Sequence, residues 1–198
     1  MRRLAIASLA VPLALLLAVG TVLADTGPGG SGTNFSSFST TCSTSGARQV
    51  CTDTNLSVFV DETGSQTCLD LFTYSFSSTG RFTFISDRFG CAPTGSLIIG
   101  SDYSATLGST VIPLQTCAAH KRQCTGSTNV TVSASDSVVG AITTTTTRST
   151  SVSGNCTTKT TTTETSANLT GTITIDGSTS NQDGFLDIFK VTFTIRCK

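Results

Sequence analysis

Tryptophan is missing from this chain, histidine occurs once, and the only methionine is the initiator. The single histidine, His120 in AAHKRQ, is the one residue on which any Ser-His-Asp or Cys-His device would depend. No G-x-S-x-G elbow accompanies it, and His120 reads as a solvated turn residue. No C-x-x-C pair exists, which argues against a zinc site, and no Cys-Cys doublet exists, which argues against a hydrophobin-like surfactant. With two tyrosines and no tryptophan there is little ring surface for stacking sugars, and the phenylalanines read as core. Charged residues make up 12 % of the chain, about half the usual share. They fall as singles and pairs, giving no basic tract for nucleic acid and no polybasic membrane segment. Nothing in the sequence calls for a cofactor or names a catalytic residue.

The chain opens with MRRLAIASLAVPLALLLAVGTVLA, whose Arg2-Arg3 start, apolar run and small residues Val22 and Ala24 form a secretory signal. Cleavage after Ala24 is expected, so residues 1–24 are a signal peptide and the mature protein is secreted, with no membrane span. Removing Arg2 and Arg3 leaves ten Lys and Arg against twelve Asp and Glu. Asp25-Thr26-Gly27 matches the aspartic-protease triplet, but its apolar lead belongs to the signal and no second triplet follows. Residues 25–34, beginning DTGPGGSGT, read as a flexible lead-in.

Eight cysteines, Cys42, Cys51, Cys68, Cys91, Cys117, Cys124, Cys156 and Cys197, follow the signal. In an exported chain an even count predicts four disulfides. Alternating runs at 55–62, 69–76, 81–86, 129–135, 171–176 and 187–196 predict strands, and no segment shows helical periodicity. The expected fold is all-β: an antiparallel β-sandwich, immunoglobulin-like or similar, stabilised by disulfides.

Two pseudo-repeated halves are expected, a β unit over 35–116 and another over 117–198, which can form one compact domain. TCSTSGARQVCTDTNLSVFVD (41–61) echoes TCAAHKRQCTGSTNVTVSASD (116–136), and each short loop fits a hairpin tied by its own pair, Cys42–Cys51 and Cys117–Cys124. In the first unit Phe72, Tyr74 and Phe76 share one strand face and Phe82 and Phe84 alternate likewise on the return strand, a face expected to be buried. The echo sets the Thr-rich tract of about 141–166 in the same place in the second unit. That tract lacks proline and carries a Ser-Gly-Asn turn at its middle, so it reads as a folded hairpin at a sheet edge rather than a mucin-like stalk. Apolar support for this half then falls to Val130, Val132, Ile173, Ile175, Phe185, Ile188, Val191, Phe193 and Ile195.

Asp176, Asn181, Asp183 and Asp187 offer oxygen ligands for calcium, though Thr179 breaks the loop pattern and an Asn-Gln-Asp-Gly turn explains most of them. Sequons at Asn34, Asn55, Asn129, Asn155 and Asn168 allow glycosylation in a eukaryotic secretory pathway. T-x-T rows set hydroxyls about 6.8 Å apart and resemble the flat faces of some ice-binding proteins, with Arg148, Lys159 and Glu164 as interruptions. The functional expectation is an extracellular structural, adhesive or protein-binding component without catalysis. Its partner would be an extracellular protein, a cell-surface component or a second copy. An ice-binding protein and a secreted hydrolase or carbohydrate-binding module are the alternatives.

Overall fold

The computed structural model describes residues 30–118 and 124–197. Residues 1–24, expected to be a signal peptide, and Asp25, His120, Lys121 and Arg122 lie outside the described residues. Among the described residues nine strands form a single antiparallel sheet: β1 (Gly30–Ser45), β2 (Arg48–Asp61), β3 (Gly64–Ser77), β4 (Phe82–Pro93), β5 (Leu97–Ile99), β6 (Ala105–Ala118), β7 (Cys124–Ser153), β8 (Cys156–Ile175) and β9 (Ser178–Cys197). The order is β4-β3-β2-β1-β9-β8-β7-β6-β5, and a further β4–β6 ladder joins the two ends. Eight strands therefore close into a ring, with short β5 lying on β6 below the point where β4 leaves it.

A sandwich is not what this pairing makes. Two packed sheets would each have open edges. Here β9 returns to β1 over nine residue pairs from Gly30↔Val191 to Phe38↔Asp183, and β4 meets β6 from Ser86↔Ala118 to Phe89↔Gln115. An eight-stranded barrel is narrow enough for side chains to fill it. Phe35, Leu56, Val58, Leu69, Leu107, Ile112, Leu114, Val130, Val132, Ile173 and Leu186 do so, each almost fully buried. Of the apolar residues assigned to the second half, Val130, Val132 and Ile173 are in this core, and Ile175 and Ile188 pack against it. Phe185, Phe193 and Ile195 are exposed, because they alternate onto the outer wall.

Turn chemistry sets the hairpins. Asp176 and Gly177 both take positive φ (49° and 82°) between Ile175 and Ser178, the signature of a two-residue Asp-Gly turn. The turn therefore sits at 176–177, and Asn181-Gln182-Asp183-Gly184 is interior to β9. Ser153 pairs with Cys156 across Gly154-Asn155, so the Thr-rich tract is the expected hairpin. Gly30–Asn34, expected to lie in a flexible lead-in, belong instead to β1. Gly32 makes this possible: the Phe189 ring lies where its β-carbon would project.

Four disulfides join residues that face each other across a ladder: Cys42–Cys51, Cys68–Cys91, Cys117–Cys124 and Cys156–Cys197. The first and third are the two expected hairpin ties. Each staples one of four hairpins, β1–β2, β3–β4, β6–β7 and β8–β9. In this order the partner of the aromatic hairpin β3–β4 is β8–β9. The Thr-rich hairpin joins β7 to β8 and so corresponds to the tight β2–β3 turn, not to the aromatic hairpin as the echo suggested.

Candidate interaction surfaces

Taking the β1–β2 turn as the upper end and the β2–β3 turn as the lower, three places on the molecule carry unusual chemistry. The first is inside. Asp136 on β7 and Gln182 on β9 are both buried, and Gln182 Nε2 donates to the two carboxylate oxygens at 2.8 Å each. Gly171 lies between them in register, and a β-carbon there would collide with Asp136 and the Ser135 carbonyl. Burial pushes the Asp136 carboxyl above its ordinary range, against the lowering effect of Gln182. Gln182 Oε1, Ser37 Oγ and Ser39 Oγ are buried without hydrogen-bond partners. No nucleophile–base pair joins them, so the cluster reads as a structural polar layer.

The second is the outer wall of β3–β4 near the upper end. Phe72, Tyr74, Phe76, Phe82 and Phe84 do share one face, but it faces outward. Leu69, Leu71 and Ser75 of β3 take the buried side. Ring centroids lie 5.1 to 5.7 Å apart through the whole cluster. Phe76 is 36 % exposed and Phe82 50 %. Tyr74 Oη donates to Asp53 Oδ1 at 3.2 Å, and Thr40 Oγ1 donates to the same oxygen at 2.7 Å. Desolvation first and the Asp53 charge second hold the Tyr74 phenol above its usual value.

On the same wall Asp70 stands diagonal to Asp87, since Asp70 faces Phe89 and Phe72 faces Asp87. Burial and the adjacent Asp87 push Asp70 up to about 6. Asp70 Oδ1 and Asp87 Oδ1 both lack a donor, which a proton on Asp70 supplies below about pH 6. Asp187 and Glu164 form a similar diagonal pair on β8–β9, where desolvation, then Glu164, raises Asp187.

The third place is below the lower rim. The β6–β7 ladder starts at Ala105↔Asp136 and β1 begins at Gly30↔Val191. Past those points β7, β8 and β9 run on as a three-stranded blade, whose last six residues per strand, Arg148–Ser153, Cys156–Thr161 and Thr192–Cys197, have no described strand on either side and span about 20 Å. A bulge at 140–142, with Gly140 at φ 80°, shifts the β7–β8 register between Val139 and Thr143. Continuing the upper register would set Arg148 directly opposite Lys159. The shift gives Arg148↔Thr161 and Thr150↔Lys159 instead, removing a like-charge pair.

Alternation sorts the blade into two faces. One continues the outer wall and carries Phe189, Val191, Phe193 and Ile195 beside Thr and Ser columns. The other continues the barrel's inner side beyond the rim. On it Thr144 and Thr165 hydroxyls meet at 3.1 Å. Its ranks read Thr146–Thr163–Lys190, then Arg148–Thr161–Thr192. Thr150–Lys159–Thr194 and Val152–Thr157–Arg196 follow toward the tip. Every rank holds one cation, and none holds an acid or an aromatic. Cations that are scattered in sequence are thus gathered by register into the basic patch that composition alone did not show.

The calcium candidates do not converge. Asp176 Oδ1 accepts the Thr131 N–H at 2.8 Å, Asp183 accepts from Thr170, and Asp187 lies diagonal to Glu164. Asn181, Asp183 and Asp187 alternate along β9, so Asp183 and Asp187 are about 14 Å apart along the strand. Among the described residues no group of three His, Cys, Asp or Glu is placed to hold a metal. Asn34 is half-exposed, and Asn55, Asn129, Asn155 and Asn168 are exposed. A shallow outer groove of about 350 Å³ runs from Phe38 and Val139 to Asn168, Thr170 and Asp183. A second, of about 280 Å³, opens at the lower rim beside Asp61, Glu62 and Ile188. No helix among the described residues is long and apolar enough to cross a membrane. Comparison with family models, curated proteins and solved structures finds no match to this chain.

Proposed function

We propose that this chain is a secreted, non-catalytic protein of the cell exterior, a single disulfide-stapled domain that works by binding another protein through its outer wall. The observation that carries this reading is the aromatic cluster of Phe72, Tyr74, Phe76, Phe82 and Phe84 on the outside of β3–β4. The barrel core does not use these rings, and contiguous exposed apolar surface rich in aromatics marks protein interfaces. Asp53, Asp70 and Asp87 on the same wall fit a partner that offers apolar side chains beside Arg or Lys. The rings are inclined to one another by 31° to 81°, a faceted surface suited to side chains more than to a flat pyranose.

Four disulfides agree with an oxidising, extracellular setting. The test replaces Phe76 and Phe82 together by Ser. Both side chains lie outside the core, so the variant is expected to keep its fold and disulfides while losing retention at the surface of the producing cells. Wild-type protein released as a free monomer, or a variant retained as well as wild type, would overturn the reading.

A further inference from the structure

The cationic face of the blade is separate from the aromatic wall in position and in chemistry. We propose that it binds an acidic polysaccharide, a hydroxyl-bearing chain with carboxylate or sulfate groups. Arg148, Lys159, Lys190 and Arg196 are all exposed and fall one to a rank, with ranks about 6.8 Å apart along the strands. Threonine hydroxyls fill most of the space between them, giving donors and acceptors for sugar hydroxyls. The face is open and long, which suits an extended polymer better than a small ligand. The one acid in the blade's ladders, Glu164, stands in register with Thr145 and Phe189 and so lies on the opposite face.

Single-stranded nucleic acid is the competing polyanion. Proteins that bind it combine positive charge with aromatic side chains on which bases stack, and this face has none. The rows also explain why the register shift at Gly140 matters: Arg148 and Lys159 stand in successive ranks on different strands, so the charges track along the face.

The experiment titrates purified protein, with its disulfides intact, against polygalacturonate, dextran sulfate, neutral dextran and an oligothymidylate strand. Binding to polygalacturonate or dextran sulfate is expected at low salt, weakening from about 50 to about 200 mM salt as screening sets in. The stronger of the two identifies the anion. Replacing Lys159 and Lys190 by Gln should weaken binding roughly tenfold, as the loss of two exposed charge contacts predicts, and Thr161→Lys should strengthen it. Arg48→Gln and Arg81→Gln, away from the blade, should leave it unchanged. Failure to bind either acidic polymer overturns the proposal. So does equal binding by the Lys159→Gln/Lys190→Gln protein, equal binding of neutral dextran, or tighter binding of the DNA strand. The Phe76→Ser/Phe82→Ser variant should bind the acidic polymer normally, so this proposal and the aromatic-wall reading fail independently.

Discussion

Asp136 is the residue whose chemistry is most constrained by its neighbours. It is buried against Gln182, with a glycine between them where any side chain would collide. Its raised pKa means that folding favours the protonated form, so its contribution is present below the ordinary carboxylate range and is lost as pH rises through the folded value. An amide in its place can accept from Gln182 Nε2 and also donate to the partnerless Gln182 Oε1. Asp136→Asn is therefore expected to raise the unfolding midpoint at neutral pH, and Asp136→Ala to lower stability by about 1 to 3 kcal/mol. Urea unfolding of both variants checks this, and an Asn protein weaker than wild type at pH 7 would reject it. Asp70 follows the same sign. Held up at about 6 by burial and Asp87, it costs the fold stability as pH climbs from about 4 toward about 6. On a half-exposed wall the effect is reduced by solvent screening to roughly 1 kcal/mol. Asp70→Asn should remove that slope, and thermal unfolding of the two proteins across this pH window measures it.

At the scale of the element, the blade differs from the ring in having water on both sides. No fully buried side chain lies in 143–166, so its ladders are protected only by each other. The outer edge of β7 beyond Asp136 has no neighbouring strand among the described residues. Amides of the blade are expected to exchange with solvent roughly 100-fold faster than those around Leu69, Val130 and Ile173. Equal protection in hydrogen exchange would mean that something covers the blade. Much of this element was legible in the sequence: β-branched threonine, no proline and a central Ser-Gly-Asn turn predict a hairpin. Its charged face was not, because that needs the register of three strands and the bulge at Gly140. The aromatic hairpin was legible in the same partial way. Alternation sets Phe72, Tyr74 and Phe76 on one side, but Leu69, Leu71 and Ser75 line the other, and only the ring shows which side is inside.

For the whole molecule, closure is the feature that local pattern does not determine. Sandwich and barrel use the same alternating strands and the same hairpins, and they differ here only in the β9–β1 and β4–β6 pairings, which join residues far apart in sequence. The cysteines carry more of the plan, since each bridges facing residues of one hairpin and none crosses between hairpins. The staples therefore fix hairpin registers and leave ring closure to hydrogen bonds and the aliphatic core. Their contributions should follow the length of chain each restricts in the unfolded state. Cys68–Cys91 spans 23 residues and Cys117–Cys124 only 7, a difference worth about 1 kcal/mol in the chain-entropy account. Replacing the first pair by Ser should lower the urea midpoint more than replacing the second. The reverse order would mean that the Cys117–Cys124 bridge holds the upper ends of β6 and β7 in a geometry on which the β4–β6 closure itself depends.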